Sequence, residues 1–73
     1  MIYETKIREL REDNDLTQKE IASILQTSQR VYSRYETGAN EMPIHHLITL
    51  CIYYKVSADY ILGLPEGLPY PKR

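Results

Sequence analysis

Residues 16–38 read LTQKEIASILQTSQRVYSRYETG, and the fold turns on how this stretch is parsed. Thr17-Gln18-Lys19-Glu20 has the capping-box pattern, in which a Thr N-cap and a Glu three residues on satisfy each other's backbone N–H groups. A helix starting there runs to about Leu25 and buries Ile21, Ala22 and Leu25, with Ile24 half exposed. The small Ala22 lets the next helix cross closely. Gln26-Thr27 makes a tight turn. Ser28 is a second N-cap, and a helix follows from Gln29 to about Thr37, where Gly38 supplies the left-handed residue that ends it. This last helix has two faces. Tyr32, Tyr35 and Glu36 share one at i, i+3, i+4, whereas Gln29, Arg30, Ser33 and Arg34 share the opposite one at i, i+1, i+4, i+5. One face can dock while the other is presented outward.

The flanking segments read as scaffold. Upstream, Ile7, Leu10 and Asn14, with Tyr3 one turn earlier, mark a helix over 3–14. Its Lys6, Glu9, Glu12 and Asp13 point to water, and Asp13-Asn14-Asp15 breaks it by competing for backbone hydrogen bonds. Downstream, 39–42 is a loop and Pro43 suits the first turn of a fourth helix. There Ile44, Leu47, Ile48, Cys51 and Ile52 form a 3.6-period stripe, read as core, which Tyr53-Tyr54-Lys55 closes. Ser57-Ala58-Asp59 caps a short helix over 59–62, ended by Gly63. The remainder, LPEGLPYPKR, holds three Pro and one Gly in ten residues and cannot be regular helix or central strand. The expectation is an all-α, five-helix domain over 1–64, with the helix-turn-helix at about 17–37 and a Pro-rich tail over 65–73.

Composition narrows the function classes. Seventy-three residues make one small domain that buries only about 60% of its unfolded surface, so pairing is the expected supplement. A single cysteine, Cys51, excludes an internal disulfide and fits a reducing, cytoplasmic setting. No charged start leads into an apolar run, so no signal peptide is expected. The longest uncharged stretch, 42–54, is too short to span a bilayer. The net charge is −1, but its distribution is uneven. Residues 1–16 carry three basic against five acidic groups, 36–73 carry net −1, and 17–35 carry Lys19, Arg30 and Arg34 against Glu20. The positive excess therefore falls on the two-helix stretch.

The outward quartet has base-reading chemistry. Arg can bind guanine O6 and N7 bidentately, and Gln can do the same at adenine N6 and N7. The first residues of a recognition helix reach the groove floor, and Gln29 and Arg30 stand there, with Ser33 and Arg34 one turn later. A polar helix face is most often simply solvated; the capped helix and short turn before this one favour the DNA reading. Gln18, at the start of its helix, could meet a phosphate beside the helix-terminal N–H groups, although alone it is an ordinary surface residue. His45 and His46 adjoin without a partner at ligand spacing, so a surface role outweighs a metal site. Tyr32, Tyr35 and Tyr53 fall on helical core stripes, so packing outweighs base stacking on single strands. Cys51 reads as core. No Ser–His–acid set and no Gly-rich phosphate loop exists, so an enzyme is not expected and no cofactor is implied.

LTQKEIASIL, SQRVYSRYETG and MPIHHLITLCIYYKVSADYILGL together resemble the lambda-repressor-like, Cro/Xre-type helix-turn-helix family over roughly residues 7–64. The resemblance implies five helices, with the second and third as the motif. It implies base contacts in the major groove from Gln29, Arg30, Ser33 and Arg34, and phosphate contacts from Gln18, Ser28 and Thr37. It also implies a structural pair of Arg11 with Glu36. The chain departs from the family pattern in three places. Gln26 stands where Gly is usual, so a left-handed backbone there costs energy. Thr27 replaces an apolar residue. Ala39-Asn40-Glu41 lacks the Lys or Arg that relatives place on phosphate.

These readings converge on a sequence-specific double-stranded DNA-binding regulator, a repressor, acting as a homodimer through Tyr54, Tyr60 and Leu64 and controlled by concentration, proteolysis or a partner protein. The rival is an antitoxin-like or phage-accessory interaction module with weak DNA binding, favoured by the acidic total and the acidic loop.

Overall fold

A computed structural model describes residues 3–64 and Pro71. Its elements are α1 (Tyr3–Asp13), α2 (Gln18–Ile24), α3 (Gln29–Thr37), α4 (Ile44–Tyr54) and α5 (Ala58–Leu62). No strand occurs among the described residues. The Pro-rich tail expected over 65–73 lies outside the described residues except for Pro71, which is exposed.

Side-chain caps start three of the helices. Thr17 Oγ1 accepts from the Glu20 N–H at 3.1 Å while Glu20 Oε1 accepts from the Thr17 N–H at 2.8 Å, completing the capping box. Those bonds to Thr17 hold the Glu20 carboxyl below its ordinary value. Ser28 caps α3 through the Val31 N–H and Ser57 caps α5 through the Tyr60 N–H. Pro43 precedes α4 without a side-chain cap.

Left-handed residues end all five: Asp15, Gln26, Gly38, Lys55 and Gly63, with φ between 55° and 82°. After α2, the Gln26 N–H donates to Ser23 O at 3.0 Å and the Thr27 N–H to Ala22 O at 2.9 Å. That is a Schellman closure, which satisfies two orphan carbonyls of the helix end.

The core joins Tyr3 and Ile7 of α1, Ile21 and Ala22 of α2 with Leu25, Tyr32 and Tyr35 of α3, Leu50 of α4 and Ile61 of α5. Ile7, Ile21, Leu50 and Ile61 are fully buried, each contributing about 1.5–3 kcal/mol of transfer free energy. α2 and α3 pack on each other, α1 on α3 and α5, and α4 on α5. The Met42 N–H donates to the Tyr3 hydroxyl at 3.2 Å, tying the approach to α4 back onto α1.

The fourth helix corrects the sequence reading. Its buried residues are His46 and Leu50, with Leu47, Cys51 and Tyr54 partly buried. Ile44, Ile48 and Ile52 are 74, 53 and 72% exposed, and Tyr53 is exposed rather than core. The reason is that α4 is apolar around most of its circumference, so periodicity offers two stripes and does not choose between them. His46 is also not at the surface: it is buried, with its ring 5.9 Å from that of Tyr35 and 4.2 Å from that of His45. Burial pushes its pKa below the usual histidine value, and the charge of His45 adds to the effect. Lys6 is also not simply solvated, since its ammonium lies 4.8 Å from the centre of the Tyr60 ring.

Candidate nucleic-acid interface

α3 is anchored by its apolar face. Tyr32 and Tyr35 are buried and meet edge to face at 6.2 Å. Glu36, on the same side, closes an ionic lock among three elements. Arg11 Nε donates to Glu36 Oε2 at 2.7 Å and Arg11 Nη2 to Oε1 at 3.2 Å. A third donor, Arg11 Nη1, reaches Leu16 O at 2.9 Å, and Gln18 Nε2 donates to Glu36 Oε1 at 3.1 Å. The two charged side chains keep only 14% and 4% of their surfaces open. Burial pushes the Glu36 carboxyl upward, but hydrogen bonding, from Arg11 first, outweighs it and holds the group below its ordinary value. The hydrogen bond to Glu36 likewise raises Arg11. The Tyr32 hydroxyl is buried against the same carboxylate without reaching hydrogen-bond geometry. Burial, then the nearby Glu36, drives its pKa far up, so it stays a neutral phenol.

With that face fixed, the other is presented. Gln29, Arg30 and Arg34 are exposed and Ser33 is half-buried. Gln29 and Arg30 open the helix, directly after the Ser28 cap. Arg34 has a partner that sequence reasoning missed. In the amide orientation that satisfies its neighbours, Asn40 accepts from Arg34 Nε at 3.1 Å and donates to Ala39 O at 3.0 Å. The Asn40 N–H also donates to Arg34 O at 3.1 Å. Asn40 thus aims the guanidinium while leaving its two terminal nitrogens as a donor fork.

The three residues expected at phosphates differ in what they have left to offer. A primary amide has two N–H donors, so Gln18 keeps a second after bonding Glu36. Ser28 Oγ accepts from Val31, which leaves its own proton for a ligand. The Thr37 hydroxyl donates to Arg34 O at 3.3 Å and accepts from the Ala39 N–H at 3.4 Å. Thr37 is therefore engaged in closing α3 and must exchange a bond to reach a phosphate.

The residues expected at a dimer contact separate. Tyr54 is half-buried, with its hydroxyl enclosed and without a partner; burial, with Tyr53 adding, pushes its pKa up to about 12. Tyr60 and Leu64 are exposed. Cys51 is a free thiol, half-buried. Among the described residues no cluster of three or more His, Cys, Asp or Glu could hold a metal ion, and no helix is long and apolar enough to cross a membrane.

A helix-turn-helix family model matches residues 7–61, from the middle of α1 to the last buried residue of α5. The chain belongs to the lambda-repressor-like helix-turn-helix family. In this family frame α2 and α3 are the motif and Gln26 lies in its turn. The chain is also similar to the uncharacterized HTH-type transcriptional regulator YobD of Bacillus subtilis (strain 168), at 35% identity over 71 residues. The alignment covers 97% of this chain and 62% of that protein, so the chain spans less than two thirds of the relative's length. No solved structure gives a significant match.

Proposed function

We propose that this chain is a cytoplasmic, sequence-specific regulator of transcription, a repressor that binds double-stranded DNA as a homodimer and reads the major groove with α3. The observation that carries the reading is the division of α3. Tyr32, Tyr35 and Glu36 lock one face into the body, so Gln29, Arg30, Ser33 and Arg34 project together from the other. Family membership and a relative described as a transcriptional regulator support it. In this reading Gln29 and Arg34 make bidentate base contacts, Arg30 and Ser33 complete the readout, and Gln18, Ser28 and Thr37 set the register on phosphates. A dimer is needed because one recognition helix spans too few base pairs to single out a site, and Tyr54, Tyr60 and Leu64 in the C-terminal third are its candidate contacts.

Selection from randomised duplex DNA at modest salt tests the proposal. A palindromic site should be enriched, and Arg34→Ala should abolish the enrichment. No enriched site would instead support the second reading, a protein-interaction module with weak DNA binding. That reading is favoured by the acidic Glu41 just beyond α3 and by the exposed isoleucines of α4.

A further inference from the structure

We propose that the isoleucine face of α4 is a seam between two copies of this chain, packed antiparallel about a two-fold axis at Ile48. This rests on the homodimer reading above and places its two-fold contact on α4, in place of the candidate contacts at Tyr54, Tyr60 and Leu64. Ile44, Ile48 and Ile52 recur at i, i+4, i+8 with more than half of each open to solvent. A single exposed apolar residue is ordinary, but a continuous stripe along one helix marks an interaction site. Whatever covers this stripe has to match an apolar face on a helix without charge, because α4 contains no Asp, Glu, Lys or Arg. A second copy of α4 meets that condition.

The register supplies the sharper argument. In an isologous contact residue i meets j while j meets i. An antiparallel crossing centred on Ile48 sets Ile44 opposite Ile52 of the second copy, and the reverse. Carried outward, the same register sets Glu41, just before α4, opposite Lys55, just after it. Both are exposed. The apolar seam is then closed at each end by an opposite-charge pair. A parallel crossing would instead set Glu41 against Glu41 and Lys55 against Lys55, so the charges select the antiparallel one.

The neighbouring surface extends the patch. An apolar groove of about 320 Å³ opens beside Ile44, between Leu47, Leu62, Met42 and Tyr3, with Glu41 on its rim. Ile52 of the second copy arrives at this groove. A standard interface takes about 800 Å² from each partner; three isoleucines alone fall short, and the groove walls with the exposed Leu62 add area on the Ile44 flank. Tyr60 lies elsewhere. It and Leu62 straddle the buried Ile61 on α5, and Tyr60 faces α1 beneath Lys6.

Sedimentation equilibrium of the full chain reads the outcome. The wild type should shift with concentration to twice the monomer mass. Ile48→Glu should weaken this self-association more than about tenfold, because the charge is buried against its own copy, and helical circular dichroism should be unchanged because Ile48 is half open. Glu41→Lys and Lys55→Glu should each weaken the dimer, and the double variant should recover it, since each pair re-forms with its signs exchanged. Failure of the double variant to recover would overturn the antiparallel register. A dimer indifferent to Ile48→Glu would overturn the seam and leave the homodimer standing. A chain monomeric at every concentration, both free and on a palindromic duplex, would sink seam and homodimer together. Base reading by α3 is scored separately, by the Arg34→Ala effect on a single half-site.

Discussion

Gln26 shows how much one backbone angle matters. With φ at 59° it occupies the left-handed region, where a residue with a Cβ pays about 1–2 kcal/mol and glycine does not. Its N–H and that of Thr27 already close α2, and its exposed side chain has no core contact to lose. Gln26→Gly should therefore raise the unfolding free energy by roughly 0.5–1 kcal/mol after the extra entropy of the unfolded glycine is subtracted. Urea titration checks this, and a loss of stability would mean the Gln26 side chain makes a contact of its own. The presented face yields a different prediction. Arg34→Ala and Gln29→Ala should each remove about 1–3 kcal/mol of discrimination at one base position while binding to random DNA persists. Gln18→Ala should weaken all sequences about equally, as a phosphate contact does. Asn40→Ala should follow the Arg34 pattern in weaker form, because it releases the guanidinium from its aim. An Arg34→Ala loss of equal size on specific and random DNA would demote Arg34 to a phosphate contact.

At the scale of elements, the lock of Arg11, Gln18 and Glu36 joins α1, α2 and α3. Arg11→Met or Glu36→Leu alone should cost about 3 kcal/mol or more, since the surviving charge is left desolvated; both together should cost less than the sum. A double-mutant cycle with no coupling energy would refute this. The pH dependence has a definite sign. Glu36 is held below its ordinary value in the folded chain, so its contribution is complete above the unfolded carboxylate value of about 4.3. The contribution is lost as pH falls through the lower folded value. His46, buried neutral and also shifted down, weakens the fold earlier, as pH drops below about 6.5. His46→Leu should flatten that first part of the acid limb in thermal melts and leave the second. Legibility in the sequence followed the same elements. The start of α2, both ends of α3 and its two faces were readable, because caps, a terminal glycine and a polar–apolar split agree there. α4 was not. Its Ile44, Ile48 and Ile52 look like core to any periodicity argument, and His46 gives no apolar signal, so only its neighbours decide that it is inside. Asn40 had no pattern at all, since its role depends on the chain turning back after Gly38.

At the scale of the whole molecule, a chain of net charge −1 cannot hold DNA by its overall field. What it can use is the local excess over residues 17–35, where Lys19, Arg30 and Arg34 face one acid, Glu20, whose carboxylate is committed to the Thr17 cap. With that stretch alone at the duplex, one protomer brings three cations and a dimer six. Each phosphate neutralised releases counterions that add about −0.9 to the slope of log K against log salt. The slope on a palindromic site should be no steeper than about −5, shallow for a dimeric regulator, and binding to random DNA should be weak at physiological salt. Lys19 is exposed on the first turn of α2 and takes no part in the base-reading face. Lys19→Gln removes two cations per dimer and should flatten the slope by about two without altering the preferred sequence. A slope well beyond −5, or one indifferent to Lys19→Gln, would place the phosphate contacts on other basic residues, such as Arg8 or Lys55, and would require a different docking of α3.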